Sequence, residues 1–244
     1  MRCLLSLLVA CCLLGGCASP QQDPSGTWIN SVAIEAAVES GNLREALLAY
    51  GPNLEWQLDA PRQLASFSNG FERGEGQLLR AQDGRFRVHL FGDYQEWLSL
   101  DADELVQAAS DTWPEQRFSR VEGAGGEPPP PGSSFEQALY RAYLGGTWTI
   151  REGLGEGGLV LFHADGRLEG LPGAERYALC LAGDCAAMSG EFDSIWLQLG
   201  EQGQSWLFER DGKQLRIFEA LNRAQIDEMP DYGKGQQVWL LERD

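Results

Sequence analysis

The chain has 244 residues, 43% of them apolar, and its eight Trp, ten Phe and six Tyr supply bulk for a sizeable core. That content excludes a disordered chain or a small disulfide-stapled scaffold, and the length fits one large β domain or two small ones. Thirty-six Asp and Glu against 19 Lys and Arg give a formal charge of −17, a field that repels phosphate backbones and argues against nucleic-acid binding.

At the start of the chain, Arg2 precedes an apolar run from Leu4 to Leu14 broken only by Ser6. Eleven helical residues span roughly 16 Å, about half a bilayer core, so the run reads as a secretory signal and not as a membrane span. Its end, Leu14-Gly15-Gly16-Cys17, resembles a bacterial lipobox. The resemblance implies a signal peptide over 1–16, a lipid thioether on Cys17 and palmitate-type acylation of the amino group that cleavage frees. Three chains exceed the two anchors that lasting attachment needs. Ala18 in place of Asp resembles lipoproteins that Gram-negative bacteria export to the outer membrane, so a lipid-anchored, periplasm-facing envelope protein is expected. Residues 17–25 form the lipidated tether, and its polar part reaches at most ~27 Å.

The first half, 26–122, opens with a strand carrying Trp28. Val32, Ile34, Ala37 and Val38, then Leu43, Ala46, Leu47 and Tyr50, fall at helical spacing on either side of Gly41 and predict a helix-turn-helix over 31–50. Alternating runs predict strands at 76–81, 85–91, 96–100 and 116–121, with a hairpin turn at Asp83-Gly84. Glycines and Pro128–Pro131 mark 123–134 as an interdomain linker. Ser133 and Glu136 then offer a capping box for a helix over 135–144. Strands follow at 147–152, 158–163, 176–181, 194–199, 205–209, 214–219 and 236–241, punctuated by Asp165-Gly166 and Asp211-Gly212.

Two segments start alike, Gly26-Thr27-Trp28 and Gly146-Thr147-Trp148, and their charges match: 16 acids against 8 bases in 26–122, 17 against 9 in 145–244. The expected fold is mainly β, two tandem small antiparallel β-meander barrels, the first with the inserted helix pair, and residues 133–244 are expected to fold alone. Processing leaves Cys17, Cys180 and Cys185. In an oxidising periplasm Cys180 and Cys185 are expected to form a local disulfide in domain 135–244, since no third ligand completes a metal site.

A Gly-x-Trp opening strand, a meander and an Arg in the closing strand resemble the lipocalin and fatty-acid-binding (calycin) group of barrels. The resemblance implies barrel closure by Trp28 with Arg120 and by Trp148 with Arg243, the guanidinium lying across the indole. It also likens the 31–50 helices to the lid of fatty-acid-binding proteins. Phe162–Arg167 resembles a strand-turn of bacterial envelope domains, without their Gly-Cys-Asn.

No catalytic constellation is visible. His89 and His163 sit in alternating runs, and no nucleophile elbow, His-Glu-x-x-His or Walker loop occurs. Asp101, Asp103, Glu104, Asp227 and Glu228 read as solvated turns, and no EF-hand spacing is present. The expectation is a non-catalytic protein with no cofactor or metal, acting as a protein-binding or envelope-structural module. Trp148, Trp206, Phe208 and Ile217 are expected to fill the second barrel, as small barrels are filled. The alternative is a lipocalin-like binder of a small apolar ligand in 26–122.

Overall fold

Alternation of burial along short runs decides most of the strands. The computed structural model describes residues 22–123 and 129–243. The first half runs β1 (Gly26–Ile29), α1 (Ser31–Ser40), α2 (Leu43–Ala49), β2 (Glu55–Asp59), β3 (Leu64–Ser68), β4 (Arg73–Arg80), β5 (Phe86–His89), β6 (Gln95–Asp101), β7 (Glu104–Gln107) and β8 (Gln116–Arg120). Each strand pairs antiparallel with the next and β1 also pairs with β8, so the sheet is a closed barrel. Trp28, Trp56, Leu58, Ala65, Leu78, Phe86, Val88, Leu98, Leu105 and Phe118 fill its interior as one core.

The second half runs α3 (Ser133–Tyr143), β9 (Gly146–Glu152), β10 (Leu159–Phe162), β11 (Leu168–Glu169), β12 (Arg176–Leu179), α4 (Asp184–Ser189), β13 (Asp193–Leu199), β14 (Gln202–Asp211), β15 (Gln214–Asn222) and β16 (Tyr232–Arg243). It is again a meander, with β9 between β10 and β16. Its two outer strands meet at one bridge, Arg167 to Arg176, flanked by Leu168 N–H to the Glu175 carbonyl and Tyr177 N–H to the Gly166 carbonyl, both 2.8 Å. Two tandem barrel-like sheets, the first with an inserted helix pair, are thus what the chain forms.

The differences from the sequence reading are local. Strands β2, β3, β7 and β11 and helix α4 were not anticipated; all but α4 are strands of five residues or fewer, with little periodicity to read. The expected capping box on α3 is not made: the N-cap is Gly132, without a side-chain cap. The Phe135 N–H goes instead to Glu55 Oε2 at 2.9 Å, a carboxylate of β2. Of the expected linker, 124–128 lies outside the described residues. Pro129 lies on the first barrel, its carbonyl accepting from Gln57 Nε2 at 2.9 Å.

Connections in a meander alternate between its two ends. In the first barrel the chain start and the β2–β3, β4–β5 and β6–β7 turns share one end, the base, and α1–α2 cover the other. In the second, α3, α4 and the β14–β15 turn share one end, while the β9–β10, β11–β12, β13–β14 and β15–β16 loops form a free mouth. The halves meet at a helical layer. Ala33, Ile34 and Ala37 of α1 and Leu43, Ala46 and Leu47 of α2 belong to the same core as Phe135, Leu139 and Tyr143 of α3 and Trp148, Phe162, Phe208 and Ile217 of the second sheet. The helix pair inserted in the first half thus belongs to the core of the second. An amphipathic helix pair must bury its apolar stripe, and here it does so against the other half. The order along the molecule is residues 22–25, first barrel, helices, second barrel-like sheet, mouth.

Candidate functional site

The turn between α1 and α2 sits in a socket built by the second half. Gly41 ends α1 with φ +75°, and a Cβ there would stand 2.1 Å from the Arg210 carbonyl oxygen, so both conformation and contact require glycine. The Gly41 carbonyl accepts from Tyr143 Oη at 2.6 Å. Arg210 Nη1 donates to the Val38 carbonyl at 2.8 Å, a cation at the helix C-terminus. Asp193 accepts from Leu43 N–H at 2.8 Å and Arg44 N–H at 2.7 Å, an anion at the N-terminus of α2. Asn42 Oδ1 takes the next N–H, that of Glu45, at 2.9 Å. With Glu55 on α3, each half therefore caps a helix of the other.

Burial raises the Asp193 carboxyl above the usual carboxylate range, against the helix N–H groups that pull it down. The Tyr143 hydroxyl is raised by burial and then by the Asp193 charge, so it stays a donor. The Arg210 guanidinium lies 4.9 Å from the Tyr143 ring centroid. Its Nε, like that of Arg243, is buried without a hydrogen-bond partner. Asp193, Tyr143 and Arg210 carry no sequence signal for these contacts, since the partners of Asp193 lie 149 and 150 residues away.

The structure brings both Trp–Arg pairs together. Trp28 and Arg120 are directly paired across β1 and β8, with the guanidinium carbon 4.1 Å from the indole centroid. Trp148 and Arg243 are paired across β9 and β16 at 4.6 Å. The repeat extends to the indole N–H: Trp28 Nε1 donates to the Pro24 carbonyl and Trp148 Nε1 to the Leu144 carbonyl, both at 2.8 Å and both four residues back. Arg120 also donates to the Asp23 carbonyl at 3.0 Å, fastening the chain start to the base. Arg243 donates to the Tyr143 carbonyl at 3.1 Å, and burial lowers its guanidinium from the ordinary value. Cys180 and Cys185 form a disulfide with Cα atoms 5.8 Å apart. Cys17 and the signal segment lie outside the described residues. His89 is on β5, and His163 Nε2 lies 2.8 Å from Glu169 Oε1.

Ten buried side chains pack the interior of the first barrel, and a polar network lies at its helix-covered end. Asn53 Nδ2 and Trp56 Nε1 both donate to Gln107 Oε1 at 2.9 and 3.0 Å, and Gln116 Nε2 donates to the Tyr50 and Asn53 carbonyls at 2.8 and 2.9 Å. Exposed apolar side chains occur in both halves, with Phe71, Phe91 and Tyr94 in the first. Around the free mouth Leu154, Leu159, Leu199, Leu221, Ile226 and Met229 are exposed, Ile226 at 92%. The loop that presents Ile226 is held in shape: Asn222 Oδ1 accepts from Ala224 and Asp231 N–H at 3.0 and 3.1 Å, and Glu228 Oε2 from Gln225 N–H at 3.0 Å. Beside it a depression of about 750 Å³ is lined by Pro172, Ala174, Trp196, Trp206 and Trp239. The Trp206 and Trp239 rings pack tilted at 57° with centroids 5.1 Å apart, and Trp239 Nε1 donates to the Leu154 carbonyl at 3.2 Å. Glu201, Asp227, Glu228 and Asp231 rim the same end. Apolar side chains, tryptophans and carboxylates thus share the mouth end of the second sheet. No protein-family model, no curated protein and no solved structure matches this chain.

Proposed function

We propose that the chain is a non-catalytic envelope lipoprotein, anchored through Cys17 in the outer membrane, facing the periplasm, and docking another protein at the mouth of its second barrel. The observation that carries this reading is the exposed, preformed rim of Leu154, Leu199, Leu221, Ile226 and Met229 at the end opposite the chain start, beside packed barrel interiors. An anchor at one end and a sticky surface at the other is the layout of an adaptor that holds a partner away from a bilayer. The acidic residues around the rim favour a partner whose apolar patch is edged by Lys and Arg. Site-specific photocrosslinking tests it in cells. A crosslinker at position 226 should give one discrete protein adduct that is lost when Met229 and Leu221 are replaced by Asp, while one at exposed Gly92 of the first barrel gives none. The same adducts from both positions, or none from 226, would exclude docking at the mouth.

A further inference from the structure

A second cavity lies between the halves, on the outer side of α2. It has a volume of about 350 Å³ and is lined by Leu48 and Pro52 from the α2 region, Trp113 from the β7–β8 loop, Leu181 and Ala187 from the disulfide-bearing segment, and Arg44. Small-molecule sites favour junctions of this kind, mostly apolar with few placed polar groups, and begin near this volume. The walls are held independently of any ligand. The Arg44 and Leu43 N–H groups are fixed by Asp193, and the Cys180–Cys185 disulfide closes the loop that carries Leu181. Among the described residues no hydrogen bond or ion pair reaches the Arg44 guanidinium, whose charge acts on Asp193 only at longer range. A guanidinium at the rim of an apolar cleft can take an anionic head while an apolar chain occupies the cleft.

We propose that this cleft binds a small amphiphile, its apolar chain between α2 and the disulfide loop and its anionic head on the Arg44 guanidinium. The site lies outside both barrels and is independent of docking at the mouth. Its closure needs both halves, because α2 forms one wall and the disulfide segment the other.

Isothermal titration of the chain from Ala18 onward, which keeps every described residue, tests this with decanoate and with decanol as the uncharged comparison. One-to-one saturable binding of decanoate is expected. Ala187→Trp, which fills the cleft from an exposed position, should weaken both probes at least tenfold. Arg44→Gln keeps the backbone N–H that Asp193 holds, and should weaken decanoate about three- to tenfold with decanol unchanged. Leu48→Glu, at an exposed position, should weaken decanoate more than decanol. Circular dichroism on each variant checks that the fold is kept. Absence of saturable binding, binding unaffected by both Ala187→Trp and Leu48→Glu, or equal loss of both probes in Arg44→Gln would overturn the proposal.

Discussion

Replacing Asp193 by Ala should unfasten the helical layer from the second barrel. The carboxylate accepts two backbone N–H groups at the start of α2, at 2.8 Å in a buried setting for Leu43 and at 2.7 Å in a partly buried one for Arg44. A buried donor left without an acceptor costs ~1–3 kcal/mol, and a partly wetted one ~0.5–1 kcal/mol. Removing a carboxyl whose burial is itself unfavourable returns part of this, and the net loss is about 2–3 kcal/mol, at or above the ~2 kcal/mol upper end for a lost helix cap because two N–H groups are orphaned. At a urea m-value of roughly 2–3 kcal/mol/M the unfolding midpoint falls by about 1 M. Urea unfolding followed by far-ultraviolet circular dichroism measures this, and amide exchange locates it: Leu43 and Arg44 should lose protection together with β13. A midpoint shift below about 0.2 M, or full retention of protection in α2, would refute the socket as a source of stability.

Four further outcomes follow from the same geometry. The Asp193 carboxyl, raised by burial, contributes stability below its unfolded pKa, and that contribution is lost as pH rises through the folded value. Asp193→Asn should therefore flatten the stability curve above about pH 4, and a wild-type curve parallel to that of the variant would contradict the assignment. Glu55→Ala should cost ~1–3 kcal/mol by orphaning the Phe135 N–H, with Glu55→Gln costing less because an amide oxygen still accepts; equal losses in thermal unfolding would argue against capping. Trp148→Ala should cost ~3–5 kcal/mol, and Arg243→Lys less than Arg243→Ala, since the stem still packs when the planar stack is gone. Cys17→Ser should accumulate as an unprocessed, unlipidated precursor, so normal cleavage and membrane fractionation of that variant would remove the anchor.

Local chemistry was legible in the sequence, and long-range chemistry was not. The Asp83-Gly84 and Asp211-Gly212 turns and the helix pair broken at Gly41 could be read from short motifs, and the two Trp–Arg partners were implied by the resemblance to lipocalin-like barrels. β3 (Leu64–Ser68) escaped notice because Ser66 and Ser68 are buried where a strand pattern would show apolar residues. Glu55 was invisible for a different reason. A carboxylate with no exposed surface makes sense only once the N-terminus of α3 is beside it, 80 residues on. The helix pair over 31–50 was legible as amphipathic, but its spacing says only that one face is buried. That the face shares one core with Phe208 and Ile217 goes with the socket of Tyr143, Asp193 and Arg210. Of the mouth, the apolar residues were plain in the sequence, while their gathering at one end follows from the meander.

The shared helical layer is tested most directly by cutting it away. Residues 133–244 contain the whole second sheet and α3, yet lack the α1–α2 face that covers its core and the N–H groups that meet Asp193. Expressed alone, this segment should show strand content without a cooperative thermal transition and should bind an apolar dye. Adding a second chain of residues 22–123 should restore one sharp transition. A cooperative transition of the isolated segment, matching that of the full chain, would show that the two halves fold separately and would contradict the interlocked account.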